Sequence, residues 1–153
     1  MFVHNKAIQP GAMRALDRPV DLSDMKLDLY ALAAEKDHLI PWQSAYDSLQ
    51  HFPGRRTLVL HSKGHIMSLI DPPAGSQATF CVSDVDFELD SVTWRAKATK
   101  MQGSWWPHWA GWLAKRSGDR GVAHSRQGCA KYPPLANAPG EYVRVKTHSK
   151  GTS

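Results

Sequence analysis

Two apolar runs, KLDLYALAA at residues 26–34 and RRTLVLHS at 55–62, flank a segment in which apolar residues recur at helical spacing. Short, nearly uninterrupted apolar runs are the mark of strands buried on both faces. Between them, Trp42, Ala45, Tyr46 and Leu49 predict a helix opened by Pro41 or Trp42, and Pro53-Gly54 closes the loop after it. A strand, a helix and a second strand pack most simply as parallel neighbours joined by a right-handed crossover. The expected fold is therefore α/β, a partial parallel sheet with flanking helices.

The flanking segments read less sharply. DRPVDLSDM is turn-rich, SKGH is a tight turn, and HIMSLI is a short helical or turn segment stopped by Pro72-Pro73. ATFCVS fits a short strand or an extended loop. From Ser91, the set Val92, Trp94, Ala98 and Met101 predicts a helix. Ser104 would cap another, WWPHWAGWLAKRS, ending at Gly118, with Pro107 tolerated in its first turn. Trp105, Trp109 and Trp112 share a face of that helix with Leu113, which reads as core packing; a surface for polyester or a partner is the sharper alternative. Beyond Gly121 periodicity is lost. The expected organisation is a folded portion over 1–120 and an irregular basic tail over 121–153.

At 153 residues, with 42% hydrophobic and 22% charged residues, the chain can bury a single core. The net charge of +5 is unevenly placed: eight Lys and Arg against two acids lie from Ala114 onward, and eleven against twelve precede them. No nucleic-acid motif accompanies this tail, so nucleic acid is not an expected partner. No run approaches the roughly 20 apolar residues of a membrane span. The N-terminal MFVHNKAIQPGAMRA lacks a secretory layout, and Cys81 and Cys129 are too few for a disulfide framework. A reduced, cytoplasmic setting is expected. His51, His61, His108, His124 and His148 show no metal-ligand pairing, so neither a metal nor a cofactor is expected.

Asp37 follows the first strand and His65 the second. Reactive groups of open α/β sheets gather at the carboxyl ends of strands. An acid on one loop and a histidine on a later one match the chain order of the α/β-hydrolase triad, in which the acid fixes the histidine tautomer and the histidine takes the nucleophile's proton. Spacing alone makes this a weak signal, because loop Asp and His residues are common.

The wording of the segments is more specific. AAEKDHLIPWQSAY, LVLHSKGHIMSLIDPP and GSWWPHWAGWLAKRSG together resemble the C-terminal part of bacterial polyhydroxyalkanoate synthases, and the likeness runs from RPVDLSDMKLDLYALAA to YPPLANAPGEYVRVK. The resemblance implies the C-terminal portion of an α/β-hydrolase fold. It implies an acyltransferase that polymerises (R)-3-hydroxyacyl-CoA into storage polyester and releases CoA. It puts Asp37 in the place of the catalytic aspartate and His65 in that of the general base. His38 takes the place of a second, structural histidine, and Trp42 packs beside the site.

The family's nucleophile is a cysteine in a Gly-x-Cys-x-Gly box, and these 153 residues contain none. Cys81 follows the histidine, Cys129 lies in the tail, and neither has elbow glycines; Ser44 and Ser62 lack them as well. The chain is thus expected to supply the Asp–His part of a Cys–His–Asp triad and to be inactive alone. Substrate and polyester would be engaged only with a nucleophile-bearing N-terminal portion, as a synthase subunit or a homodimer. The alternative is a non-catalytic fragment that binds synthase or the polyester granule surface. Lys63 reads as a solvated turn residue, with CoA phosphates as the sharper alternative, and Arg55-Arg56 as a solvated charged edge.

Overall fold

The strand–helix–strand core is present in the computed structural model, which describes residues 5–86, 88–123 and 125–146. Strand β3 (Leu29–Ala34) leads through helix α1 (Trp42–Leu49) to strand β4 (Arg56–His61), and the two strands pair in parallel from Leu29 opposite Arg56 to Ala34 opposite His61. Before them, β1 (Met13–Ala15) and β2 (Arg18–Val20) form a separate antiparallel hairpin in the segment that reads only as turns. Its two-residue loop, Leu16 and Asp17, has positive φ at both positions, which matches the twist of a hairpin.

The main sheet has the order β3-β4-β5-β6 and is mixed, which corrects the expected parallel sheet. Strand β5 (Thr79–Asp84) runs antiparallel to β4, and β6 (Thr99–Gln102) antiparallel to β5. The reason is the length of the connections. Only α1 spans the sheet from end to end; α2 (His65–Leu69) is a single short turn of helix, so the chain re-enters the sheet from the end it left. Helix α3 (Ser91–Lys97) stops before Ala98, and the predicted continuation through Met101 is instead the edge strand β6. Pairing with the free side of β5 satisfies backbone groups that a longer helix would have satisfied internally.

The two faces of the sheet are covered differently. Leu58 and Leu60 face α1 and α3, where Trp94 is packed between Trp42 and Tyr46 at ring distances of 6.2 and 5.8 Å. Val59, Phe80 and Val82 face Trp105 and Trp106, at the start of α4 (Trp106–Ala114). All of β4 is buried, as a central strand requires. By contrast, β3 is only half-buried over its first four residues, because it forms the edge of the sheet. Arg56 is buried too, which corrects its reading as a solvated edge, and its Nη2 donates to the Val85 carbonyl at 3.4 Å. Arg55 is exposed and paired with Asp84.

Helix termini follow local chemistry. Asp90 caps α3 by accepting from the Val92 and Thr93 amides, both at 2.9 Å. Helix α4 begins at Trp106 and ends at Ala114, short of Gly118; Ser104 Oγ accepts from the Trp106 amide at 3.2 Å. Trp105, just before α4, is buried, whereas Trp109 within it is 41% exposed. The chain separates into two units, 1–117 and 118–153. In the described part of the second, side chains are almost all exposed, and its one regular element is a single 3-10 turn, Tyr142–Arg144. His124 and His148 fall outside the described residues.

Gly54, in the loop that returns α1 to β4, passes against the backbone of Leu27: a Cβ there would meet the Leu27 carbonyl oxygen at 2.1 Å. Backbone cannot yield as a flexible side chain does. Gly54→Ala should therefore lower stability by about 1–3 kcal/mol, the usual range for overpacking. A shift of the urea midpoint to lower concentration with unchanged slope is the expected result.

Candidate active site

Parallel pairing of β3 and β4 brings the loops at their carboxyl ends side by side, and the ladder continues beyond the strands. The Glu35 amide donates to the His61 carbonyl at 2.8 Å, and the Lys36 amide to the Lys63 carbonyl at 3.2 Å. Gly64 passes so near this seam that a Cβ would lie 3.2 Å from the Lys36 carbonyl oxygen. The next residue of each loop is functional in type: Asp37 on one, His65 on the other.

His65 Nδ1 and Asp37 Oδ2 are 2.7 Å apart. The other carboxylate oxygen, Oδ1, accepts from the Leu39 and Ile40 amides at 2.8 and 3.1 Å, so the carboxylate is anchored to its own loop while it holds the imidazole. The Asp37 side chain is 10% exposed and that of His65 36%. The hydrogen bond from His65, followed by that from Leu39, holds the Asp37 carboxyl down at about 2. Asp37 is acceptor-only when ionised, so the shared proton sits on Nδ1, leaving Nε2 as the basic nitrogen. Among the described residues Nε2 has no protein hydrogen-bond partner.

Asp37 and His65 line a cavity of about 280 Å³ whose other walls, Ser68 apart, are apolar and include Leu32, Trp42, Ala45 and Leu69. Trp42 is buried. His38 is exposed, its ring 6.3 Å from that of His65 and steeply inclined to it. Cys81 is half-buried on β5 and Cys129 exposed; neither lines this cavity, nor does Ser44 or Ser62. Among the described residues no three His, Cys, Asp or Glu side chains converge as a metal centre would need. No helix among them is long and apolar enough to cross a membrane.

Sequence reasoning missed a second Asp–His pair. His61, fully buried at the end of β4, approaches Asp71 Oδ2 with Nε2 at 3.0 Å, and Asp71 Oδ1 receives Lys63 Nζ at 2.6 Å. Lys63 is thus engaged in an ion pair with a buried carboxylate, which corrects its reading as a solvated turn residue. A signal existed: His61 continues the Thr57–Val59 face of a buried strand, and a buried imidazole needs partners.

No family model matches the chain. Among curated proteins it is 40% identical to poly(3-hydroxyalkanoate) polymerase 1 of Ectopseudomonas oleovorans, over 95% of this chain and 26% of that protein. It is 34% identical to the poly(3-hydroxyalkanoate) polymerase subunit PhaC of Cupriavidus necator and 35% to that of Rhizobium meliloti, each over 95% of this chain. These matches cover 24% and 23% of the two subunits. The chain matches the C-terminal part of a poly(3-hydroxyalkanoate) polymerase. It spans about a quarter of the length of these polymerases.

The depressed Asp37 value has a sign that can be measured. A carboxyl group held lower in the folded than in the unfolded chain stabilises the fold fully above about pH 4. That contribution is lost as pH falls toward about 2. The stability difference between the wild type and Asp37→Asn should shrink as pH falls across that window. Urea midpoints recorded from pH 7 to pH 2 would check it.

Proposed function

We propose that this polymerase-like chain carries the acid–base part of a Cys–His–Asp acyltransferase of α/β-hydrolase fold. The enzyme polymerises (R)-3-hydroxyacyl-CoA into polyester and releases CoA. His65 is the general base, Asp37 orients it, His38 and Trp42 support the site, and the nucleophilic cysteine comes from a segment outside these 153 residues. The observation that carries the reading is the 2.7 Å Asp37–His65 contact at the tips of two parallel strands, within a segment matching the polymerases. No metal or cofactor enters the chemistry.

The steps follow from the available nitrogen. Nε2 of His65 takes the thiol proton, and the thiolate attacks the thioester carbonyl of the acyl-CoA. Collapse of the tetrahedral adduct breaks the bond to CoA sulfur, which leaves with the proton from His65. For elongation, His65 accepts the proton of a 3-hydroxyl group whose oxygen attacks the enzyme-bound acyl thioester, forming the ester and freeing the cysteine. Asp37 stabilises the imidazolium in each step and retains its own negative charge. The apolar cavity beside the dyad suits the hydrocarbon part of an acyl chain. A cytoplasmic or granule-surface setting, as a synthase subunit or homodimer, fits this chemistry.

A second reading is a non-catalytic segment that binds synthase or the polyester surface. What favours it is exposure: Leu39 and Ile40 on the loop after Asp37, and Ile66, Met67, Leu69 and Ile70 along and just after α2, are each more than half exposed.

The 153-residue chain alone should release no CoA from 3-hydroxybutyryl-CoA above background, and turnover that vanishes with Cys81→Ala would overturn the assignment. Assembled with a segment bearing the Gly-x-Cys-x-Gly box, it should become active. His65→Ala and Asp37→Asn should then each lower the rate by on the order of 10² to 10⁴, and the double variant little further. His38→Ala should reduce the complex recovered more than the rate per complex. Tight granule binding without activity in any pairing would favour the second reading.

A further inference from the structure

Helix α2 carries His65 but has only five residues. A helix this short cannot hold its own geometry in water, so its placement depends on side chains around it. Those side chains converge on Asp71, just beyond its end. Lys63, in the turn before α2, reaches Asp71 Oδ1 at 2.6 Å; His61, at the end of β4, reaches Oδ2 at 3.0 Å, and Ser76 Oγ donates to the same oxygen at 2.7 Å. The Lys63 amide points at His61 Nδ1 at 3.4 Å, and Ser68 Oγ lies 3.2 Å from the same nitrogen. An amide can only donate, so Nδ1 accepts and the proton on Nε2 is given to Asp71.

The arrangement ties both ends of α2 to one buried point. The far end is held from the opposite side as well: Trp105 Nε1 donates to the Ser68 carbonyl at 2.8 Å, Trp106 Nε1 to that of Leu69 at 3.1 Å, and Ser104 Oγ to that of Asp71. The Asp71 side chain is 2% exposed, and a carboxylate so placed persists only with its charge and lone pairs answered. Lys63, whose side chain is one-third exposed, supplies the charge.

We propose that Lys63, Asp71 and His61 act as positioning residues for His65, a clamp that sets the imidazole against Asp37; this rests on the reading of His65 as the general base. The clamp touches neither substrate nor nucleophile. It acts by fixing where α2 starts, and an error of about 1 Å in a reacting group can cost on the order of 10² in rate.

The test uses the full 153-residue chain and nitrogen-resolved NMR of its imidazoles, following the His65 Nδ1 proton shared with Asp37. In Lys63→Met this proton should exchange too fast to be seen, while the backbone amide spectrum of the sheet stays in place; Lys63→Arg should restore it. Asp71→Asn should behave as Lys63→Met does. If Asp71→Asn does not fold, Lys63→Met decides, because its side chain is the most exposed of the three. Val85→Ala, a core change on the α1 and α3 side of the sheet, should weaken the fold and leave the His65 proton visible. Persistence of the proton in Lys63→Met, or its loss in Val85→Ala as well, would overturn the clamp. In the assembled enzyme Lys63→Met should lower kcat with little change in KM. Full activity of His65→Ala would instead sink the general-base reading and leave the NMR result standing.

Discussion

The parallel ladder between β3 and β4 is the interaction on which the rest depends. Six residue pairs in register put Ala34 beside His61, and two further amide–carbonyl bonds carry the alignment into the loops. From that point the geometry is fixed by count: Asp37 lies three residues beyond one strand, and His65 four beyond the other. A side chain at the tip of a parallel pair has a neighbour on the adjacent loop without any long reach. Because period-two alternation sends every side chain to the wrong face after a one-residue slip, the register is protected by both cores of the sheet. Moving Asp37 away from His65 would therefore also misplace Leu58 and Val59.

How much was legible in the sequence follows from the same physics. β3, α1 and β4 could be read because each has a strong period or a strong run, and Trp42, Tyr46 and Leu49 are buried as the spacing predicts. The Asp37 and His65 positions could be named because they follow the two clearest strands. The mixed sheet was not legible, since strand direction depends on which end of the sheet a connection returns from, and periodicity does not encode that. Met101 was misplaced because one apolar residue fits a helical face as well as an edge strand. Lys63 was misread and the His61 pairing missed for a different reason: their partner, Asp71, sits beyond α2 and next to two prolines, where local reading sees only a helix stop.

The two Asp–His pairs divide according to exposure. At Asp37–His65 the imidazole is one-third open and, among the described residues, its second nitrogen has no protein partner, which leaves it open to take and return a proton. At Asp71–His61 both ring nitrogens are occupied and no water reaches the ring. Burial alone would push the Asp71 carboxyl up, yet hydrogen bonds from Lys63, Ser76 and His61 outweigh it and hold the group below its usual range. The same residue types are thus suited to acid–base chemistry in one place and to a structural tie in the other. What separates them is whether the outer nitrogen has a partner.

The exposed apolar side chains next to the dyad in sequence give this arrangement a direction. Leu39 and Ile40 follow Asp37, and Ile66 and Met67 follow His65, all more than half exposed. Apolar groups so placed have no role in holding the sheet, whose cores lie behind them. Covering them would remove water from around the imidazole, and in a drier medium the attraction between the Asp37 carboxylate and a protonated His65 grows as the effective dielectric falls. The stitched loops and the buried clamp set the geometry without any cover. A surface, polymer or protein that closed over Leu39, Ile40, Ile66 and Met67 would therefore strengthen the interaction without having to set its geometry.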